Sequence, residues 1–261
     1  MASDRTALGD RMKGYEQATR YVLPRRTYAV IRVDGKAFHA YLRGAQRPFD
    51  ADFMAHMDGV AADLCKEVAG AALAFTHSDE VSVVVTDFGS EHTEPWLGGV
   101  VQKFASIAAA VATAALNERR PGARALFDGR VFTLPSAVEV ANYLIWRQRD
   151  CVRNSISMAA QAHFPHKRLQ DLNGDQMQEL LWAERGVNWN DYPAGARRGR
   201  ICRRVTGERD VTYTDKRTGE VVSTRALRSW WETAAAPRFS AASPDLAALI
   251  PALPILPPSA A

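Results

Sequence analysis

Cysteine is scarce and scattered. Cys65, Cys151 and Cys202 are the only three in the 261-residue chain. They lie far apart with no Cys-x-x-Cys pair, which excludes a disulfide framework and a zinc-finger type of site and makes the cytoplasm the expected setting. Long apolar runs are also missing. No stretch reaches the roughly 18 residues that a membrane span needs. The alanine-rich segment around Ser106–Leu116 comes nearest, but it is bracketed by Lys103 and Glu118 and reads as a buried helix. Met1 to Lys13 mixes acids and bases without an apolar centre, so it does not read as a secretory leader. No internal repeat is visible.

What is present suits one large globular domain, alone or with an appendage: 47% of residues are hydrophobic and 24% charged. The net charge is only +4, but arginines cluster at 119–120, 147–153 and 197–204. Such clusters are compatible with a phosphate-rich partner, and equally with solvated surface.

Hydrophobic patterning lays out the elements. Tyr28–Val33 reads as a strand ended by Asp34. Asp50 or Asp52 caps a helix running to about Ala69, with Gly70 as its stop. Ala72–Phe75 and Val81–Thr86 read as a hairpin whose turn holds His77, Ser78 and Asp79. Val100–Asn117 is a second helix, and Arg130–Thr133 a short strand. Ser136 and Glu139 form a capping box ahead of a helix to about Asp150, followed by a second helical stretch through Ala162. The order β-α-β-β-α-β is the split pattern of ferredoxin-like folds, the plan of polymerase palms and nucleotidyl cyclases, so the fold class is α+β. Beyond Phe164, Gln176–Glu184 reads as a helix. Ile201–Val205, Val211–Thr214 and Val221–Thr224 are strand candidates. Three parts are expected: a catalytic domain over 1–205 with C-terminal elements, a short β-containing extension over 206–232, and an Ala/Pro-rich, poorly ordered tail over 233–261.

Two acidic motifs carry the chemistry. Asp34-Gly35-Lys36-Ala37-Phe38-His39 begins where the first strand stops; Gly35 admits close backbone approach, and the following amides suit phosphates. Ser78-Asp79-Glu80 sits in the hairpin turn, which this fold sets beside the end of the first strand. Adjacent acids in strand geometry face opposite ways, so Asp79 is expected to share a cation with Asp34 and Glu80 to serve as a secondary catalytic group. Either motif alone is an ordinary turn; together, in this order, they read as a two-metal phosphoryl-transfer site. A second Asp-Gly, in Phe127-Asp128-Gly129-Arg130, keeps the turn reading. Lys103 suits a triphosphate or, equally, an exposed helix surface.

These residues resemble the tRNA(His) guanylyltransferases and their relatives, the 3′-to-5′ RNA polymerases. The family pattern R-[IV]-D-G-[RK]-x-F-H matches Arg32–His39, [KR]-P-[NF]-D matches Arg47–Asp50, and S-D-E matches Ser78–Glu80. F-D-G-R-V-F-x-x-P-S matches Phe127–Ser136, Y-L-x-W-R-Q-x-D-C matches Tyr143–Cys151, and G-[IV]-N-[YW]-N matches Gly186–Asn190, followed by Arg198-Gly199. The resemblance implies two Mg²⁺ ions on Asp34, Asp79 and the Gly35 carbonyl. It implies nucleotide contacts from Asp34 through His39, Ser78, Asp79 and Lys103, with ATP and GTP as ligands and tRNA as partner in a homotetramer.

One stretch departs from the eukaryotic pattern. The H-I-N-N that follows D-C, tied to recognition of tRNA(His), reads Val152-Arg153-Asn154-Ser155 here. That is similar to the bacterial and archaeal guanylyltransferase-like proteins, which repair 5′-truncated tRNA by templated addition. Arg153 and Asn154, with Arg197 and Arg198, are the expected RNA contacts. The alternatives are a dedicated tRNA(His) guanylyltransferase, a nucleotidyl cyclase and a silent RNA-binding protein. The intact Asp34, Asp79, Glu80 and Lys103 speak against the last.

Overall fold

Alternation along the first strand decides what each face of the sheet becomes. In the structure, a computed structural model describing residues 6–122 and 124–254, an N-terminal helix α1 (Ala7–Gln17) precedes β1 (Tyr28–Gly35). Ala29, Ile31 and Val33 turn to one face, and Tyr28 and Val30 to the other. A short helix α2 (Phe38–Tyr41) leads to α3 (Ala51–Glu67), then β2 (Ala71–His77), β3 (Glu80–Val85), α4 (Val101–Arg119), β4 (Phe127–Leu134) and α5 (Ala137–His163). The expected β-α-β-β-α-β order is present, and its strands lie in the order β4-β1-β3-β2, every neighbouring pair antiparallel. α3 and α4 cover the Ile31–Val33 face, and α5 covers the Tyr28–Val30 face. β3 is buried along its whole length, as the centre of a sheet covered on both sides must be.

Beyond α5 come α6 (His166–Leu169), α7 (Gly174–Arg185), α8 (Ala194–Arg198), β5 (Arg200–Thr214), β6 (Val221–Ala235) and α9 (Pro244–Leu249). α7 has a full capping box on Asn173 and stops at Gly186 in a left-handed conformation. β5 adds to the sheet beside β2, but only from Arg200 to Arg203; beyond that, β5 and β6 pair with each other alone out to Thr214 and Val221. Among the described residues no helix is long and apolar enough to cross a membrane.

The structure departs from the expected layout in five places. The helix opened by Ser136 does not break at Asp150 but runs on unbroken to His163; no Gly or Pro interrupts 137–163. The segment Phe127–Arg130 is not a turn: it is the start of β4, paired residue for residue with β1. Two of the short strand candidates are one 15-residue strand, which crosses the expected boundary at 205. The N-terminal helix was not foreseen, because its residues pack against nothing that buries them. The stretch from Thr233 to Pro254 is packed rather than poorly ordered: Phe239, Leu246 and Ile250 are buried against the α5 face. Gln148 clamps it by donating to the Pro237 carbonyl at 2.8 Å and accepting from the Phe239 amide at 2.7 Å. Ile255 to Ala261, the rest of the expected tail, lie outside the described residues, as do Met1 to Arg5.

Gly129 shows why β4 begins with Asp-Gly. A Cβ there would sit 2.3 Å from the carbonyl oxygen of Ala105 in α4, so only glycine lets this helix lie so close to the strand. Gly129→Ala is therefore expected to destabilise the protein by about 1–3 kcal/mol in urea denaturation. Gly14→Ala, where nothing lies within 4 Å, should cost nothing.

Candidate active site

The track that holds Tyr28 and Val30 on the α5 face continues to Arg32 and Asp34, so the core turns polar as β1 nears its end. Glu80 of β3 and Asp128 of β4 both stand opposite Asp34, and Ser82 and Arg130 opposite Arg32. Directly opposed residues share a face; three carboxylates and two arginines therefore meet there. α5 supplies a third guanidinium, Arg147, only 3% exposed. It donates from Nε to Glu80 Oε1 at 2.8 Å and from Nη2 to Glu80 Oε2 at 2.6 Å, to Asp150 at 2.9 Å and to His77 Nε2 at 3.0 Å. Burial and the Arg147 charge hold His77 down at about 3. The ring is thus neutral, with Nε2 as acceptor and the proton on Nδ1.

Glu80 was expected to point away from Asp34 as a secondary catalytic group. It shares Asp34's face, but Arg147 and Arg32 take both its oxygens, the latter at 2.5 Å. Burial pushes its carboxyl up and the two guanidiniums pull it back. Glu80 is therefore an anchor for arginines rather than an open ligand.

Asp34 and Asp79 are brought together as expected. The Gly35 amide donates to the Asp79 carbonyl at 3.2 Å, joining the strand end to the hairpin turn. Ser78 takes the left-handed conformation that closes the turn (φ 48°), and its hydroxyl donates to Asp79 Oδ1 at 3.0 Å. Burial raises the Asp79 carboxyl above the ordinary range, and the Asp34 charge adds to the rise. Of the amides expected to cradle phosphate, that of Lys36 is already used on the Leu126 carbonyl at 2.8 Å. Ala37 is left-handed, while Phe38 drops into the core against Tyr41, Phe53 and Phe127. Lys36, Ala37 and His39 are exposed beside the carboxylates.

A cavity of about 290 Å³ opens next to the turn; His39, Phe49, His77, Ser78, Asn154 and Arg200 are among its lining residues. The four residues at the H-I-N-N position divide. Ser155 is buried and accepts from the Trp189 indole at 3.2 Å, Val152 packs beside it, Asn154 faces the cavity, and Arg153 is exposed and paired with Asp150. Arg197, expected on RNA, holds its own loop: Nε donates to the Tyr192 carbonyl at 2.7 Å, and the guanidinium lies over Trp189. Arg198 is half-buried beside it. Lys103 is exposed on α4. Ala105, two residues along α4 from it, packs its carbonyl against Gly129 of β4, which stands opposite Val33.

Sequence reading missed Arg130, Arg147 and His77 as parts of the cluster. The signal for Arg130 was the Asp-Gly-Arg spacing, which puts Asp128 and Arg130 on one face if read as strand. Arg147 stands in the Tyr143–Cys151 match and His77 in the hairpin turn, but nothing local says that the two meet. Removing the Arg147 guanidinium leaves Glu80 buried without its main partner, so Arg147→Ala is expected to cost about 3–5 kcal/mol in urea denaturation. Arg147→Lys should recover little of it, because one ammonium cannot reproduce the planar fork between Glu80 and His77.

The profile of the family described as tRNAHis guanylyltransferase matches residues 9–135. A Drosophila melanogaster protein named "Probable tRNA(His) guanylyltransferase" is 31% identical over 217 residues, 76% of this chain and 74% of its own. Among solved structures, a bacterial tRNA(His) guanylyltransferase-like protein in complex with ATP is 37% identical with a TM-score of 0.80, covering 94% of this chain and 99% of that one. A second such structure, in complex with GTP, is 38% identical with a TM-score of 0.73, covering 89% and 94%. With a palm-like core, the sequence motifs and relatives that align along most of its length, this chain belongs to the tRNA(His) guanylyltransferase family of nucleotidyltransferases.

Proposed function

We propose that this chain adds nucleotides to the 5′ end of tRNA in the 3′-to-5′ direction, with the opposing strand as template. The observation that carries the reading is Asp79 close enough to Asp34 to feel its charge, in a turn whose Ser78 lines a cavity large enough for a nucleobase with Arg47 and Arg200 in its wall. Arg32 Nε is buried with no hydrogen-bond partner among the described residues, a donor that suits an anionic group. The bacterial guanylyltransferase-like proteins in complex with ATP and GTP support nucleotides as those ligands.

The donor set fits Mg²⁺. Asp34 and Asp79 are hard oxygen donors, and the Gly35 carbonyl stands next in the chain; burial, and to a lesser degree the Asp34 charge, raise the Asp79 carboxyl, and a bound cation would offset both. Two divalent ions bound there would neutralise phosphate charge and lower the pKa of the attacking hydroxyl. The residues do the rest. The cavity wall at Ser78 and His39 positions the activating nucleotide, whose α-phosphorus is attacked by the tRNA 5′-phosphate with loss of pyrophosphate. Arg32 and Arg130 steady the phosphates. The 3′-hydroxyl of the incoming nucleotide then attacks the activated 5′-phosphorus, and AMP leaves. Base pairing to the opposite strand selects the incoming base. On this reading the protein works as a homotetramer in the cytoplasm, and the exposed Arg153 beside Asn154 meets RNA.

A second reading, addition of a single guanosine to tRNA(His), is favoured by the names of the relatives. The absence of the histidine at Val152 argues for the first. Two 5′-monophosphorylated substrates separate them: tRNA(His) lacking its extra guanosine and another tRNA lacking its first nucleotide, each with Mg²⁺, ATP and one nucleotide at a time. Incorporation that follows the opposing base on both is the expected result; guanosine addition to tRNA(His) alone would establish the second reading. Asp34→Ala and Asp79→Ala should each bring addition to background while filter-binding affinity for tRNA persists. Normal turnover in either would remove the carboxylates from the chemistry.

A further inference from the structure

Trp146 sits on the same face of the sheet as the carboxylates and is 54% exposed, a large apolar area for a residue that no core claims. It is nonetheless held firmly. Its ring lies 5.8 Å from that of Tyr143, which in turn meets Phe132 of β4 at 5.5 Å. The Tyr143 hydroxyl is bonded to Ser82 at 2.8 Å. On the other side the buried Arg147 guanidinium carbon lies 4.7 Å from the indole centroid. A rigid aromatic plane backed by a cation and open to solvent is what a stacking platform for a nucleobase requires.

Position adds to the argument. Arg147 bonds Glu80, and Glu80 stands opposite Asp34, so Trp146 is level with the carboxylates. The aromatic ladder leads from it toward β4, where the half-exposed Arg130 lies 3.9 Å from Asp34. The cavity beside Ser78 lies toward β2 and β5, with His77 and Arg200 in its wall. In the strand order β4-β1-β3-β2-β5, the carboxylate end of β1 thus has a base-sized cavity on one flank and an exposed indole with arginines on the other. A reaction that joins two phosphate-bearing reactants needs a place for each.

We infer that Trp146 stacks a nucleobase of the second reactant, the one that does not occupy the cavity, while Arg130 takes its phosphates. The inference rests on the nucleotide-addition reading above. The base arrives either on the incoming nucleoside triphosphate or at the open end of the RNA duplex, and the two sources are separable by fluorescence. One probe is 2-aminopurine riboside triphosphate; the other is a tRNA acceptor-stem hairpin with 2-aminopurine as its 5′-terminal base. Each is titrated with the full chain in Mg²⁺ without ATP.

Stacking should quench the probe on the wild-type protein and on Trp146→Phe. In Trp146→Ala the quench should disappear and affinity should fall about five- to one-hundred-fold, with the unfolding midpoint unchanged because the side chain is exposed. Loss confined to the triphosphate probe identifies the incoming nucleotide as the stacked reactant, and loss confined to the hairpin identifies the RNA end. If Trp146→Ala binds and quenches both probes as the wild type does, the platform is overturned and the addition reading stands. If the wild-type protein binds neither probe, both fall.

Discussion

The buried Arg147 guanidinium is the point on which this architecture turns. A cation that deep in a protein is costly unless every hydrogen faces an acceptor. Here Glu80, Asp150 and the neutral His77 supply acceptors to Nε and Nη2 from β3, from α5 itself and from β2. The same bonds fix where the 27-residue α5 crosses the sheet. Because the helix is one rigid piece, its seat on Glu80 also sets the position of Asn154 in the cavity wall and of Trp146 above the sheet. Arg147 and Arg32 hold Glu80 between them, and Arg32 also donates to Asp34 at 3.1 Å, so of Asp34, Asp79 and Glu80 only Glu80 is tied to the buried Arg147.

Much of this was legible in the sequence, for physical reasons that can be named. The β-α-β-β-α-β order followed from period-2 and period-3.6 patterning with well-signalled ends: Asp50 accepts from the Phe53 amide at 2.8 Å, Ser136 from Glu139 at 3.3 Å, and Gly186 stops its helix. Topology then brought Asp34 to Asp79 although 44 residues lie between them. Long-range packing was less legible. Phe127–Arg130 looks like a turn until β1 is laid beside it. The alanines and prolines after Thr233 look like a tail because their partners, Tyr28 and Gln148, are remote in sequence. Tyr28 donates to the Pro251 carbonyl at 2.7 Å, a bond no local pattern announces. The direction of Glu80 was misread for the same reason: alternation within one strand cannot say which residue of β1 will stand opposite it, and the register pairs Glu80 with Asp34.

The electrostatics of the face are those of a site made for phosphate. Arg32, Arg130 and Arg147 stand among Asp34, Glu80 and Asp128, but the compensation is uneven. Arg147 is bonded through Nε and Nη2, whereas Arg32 keeps a buried Nε without a partner among the described residues and Arg130 is half-exposed. Positive charge thus lies directly beside Asp34, which accepts from Arg32 at 3.1 Å, and Asp79, an arrangement that repels neither a triphosphate nor the cations that accompany it.

The long ribbon made by β5 and β6 has a different consequence. From Val205 to Thr214 it touches the rest of the sheet nowhere, and only cross-strand contacts hold it: Thr206 to Ser229 at 2.7 Å, and Arg209 stacked 3.5 Å above the centroid of Trp230. At about 3.3 Å per residue those ten residues reach about 33 Å. A two-stranded piece of that kind can open and re-form without disturbing the palm, so it is a separate unit of stability. Its hydrogen exchange would report the ribbon's own opening rather than global unfolding, while Arg200 to Arg203, locked against β2, would exchange with the core.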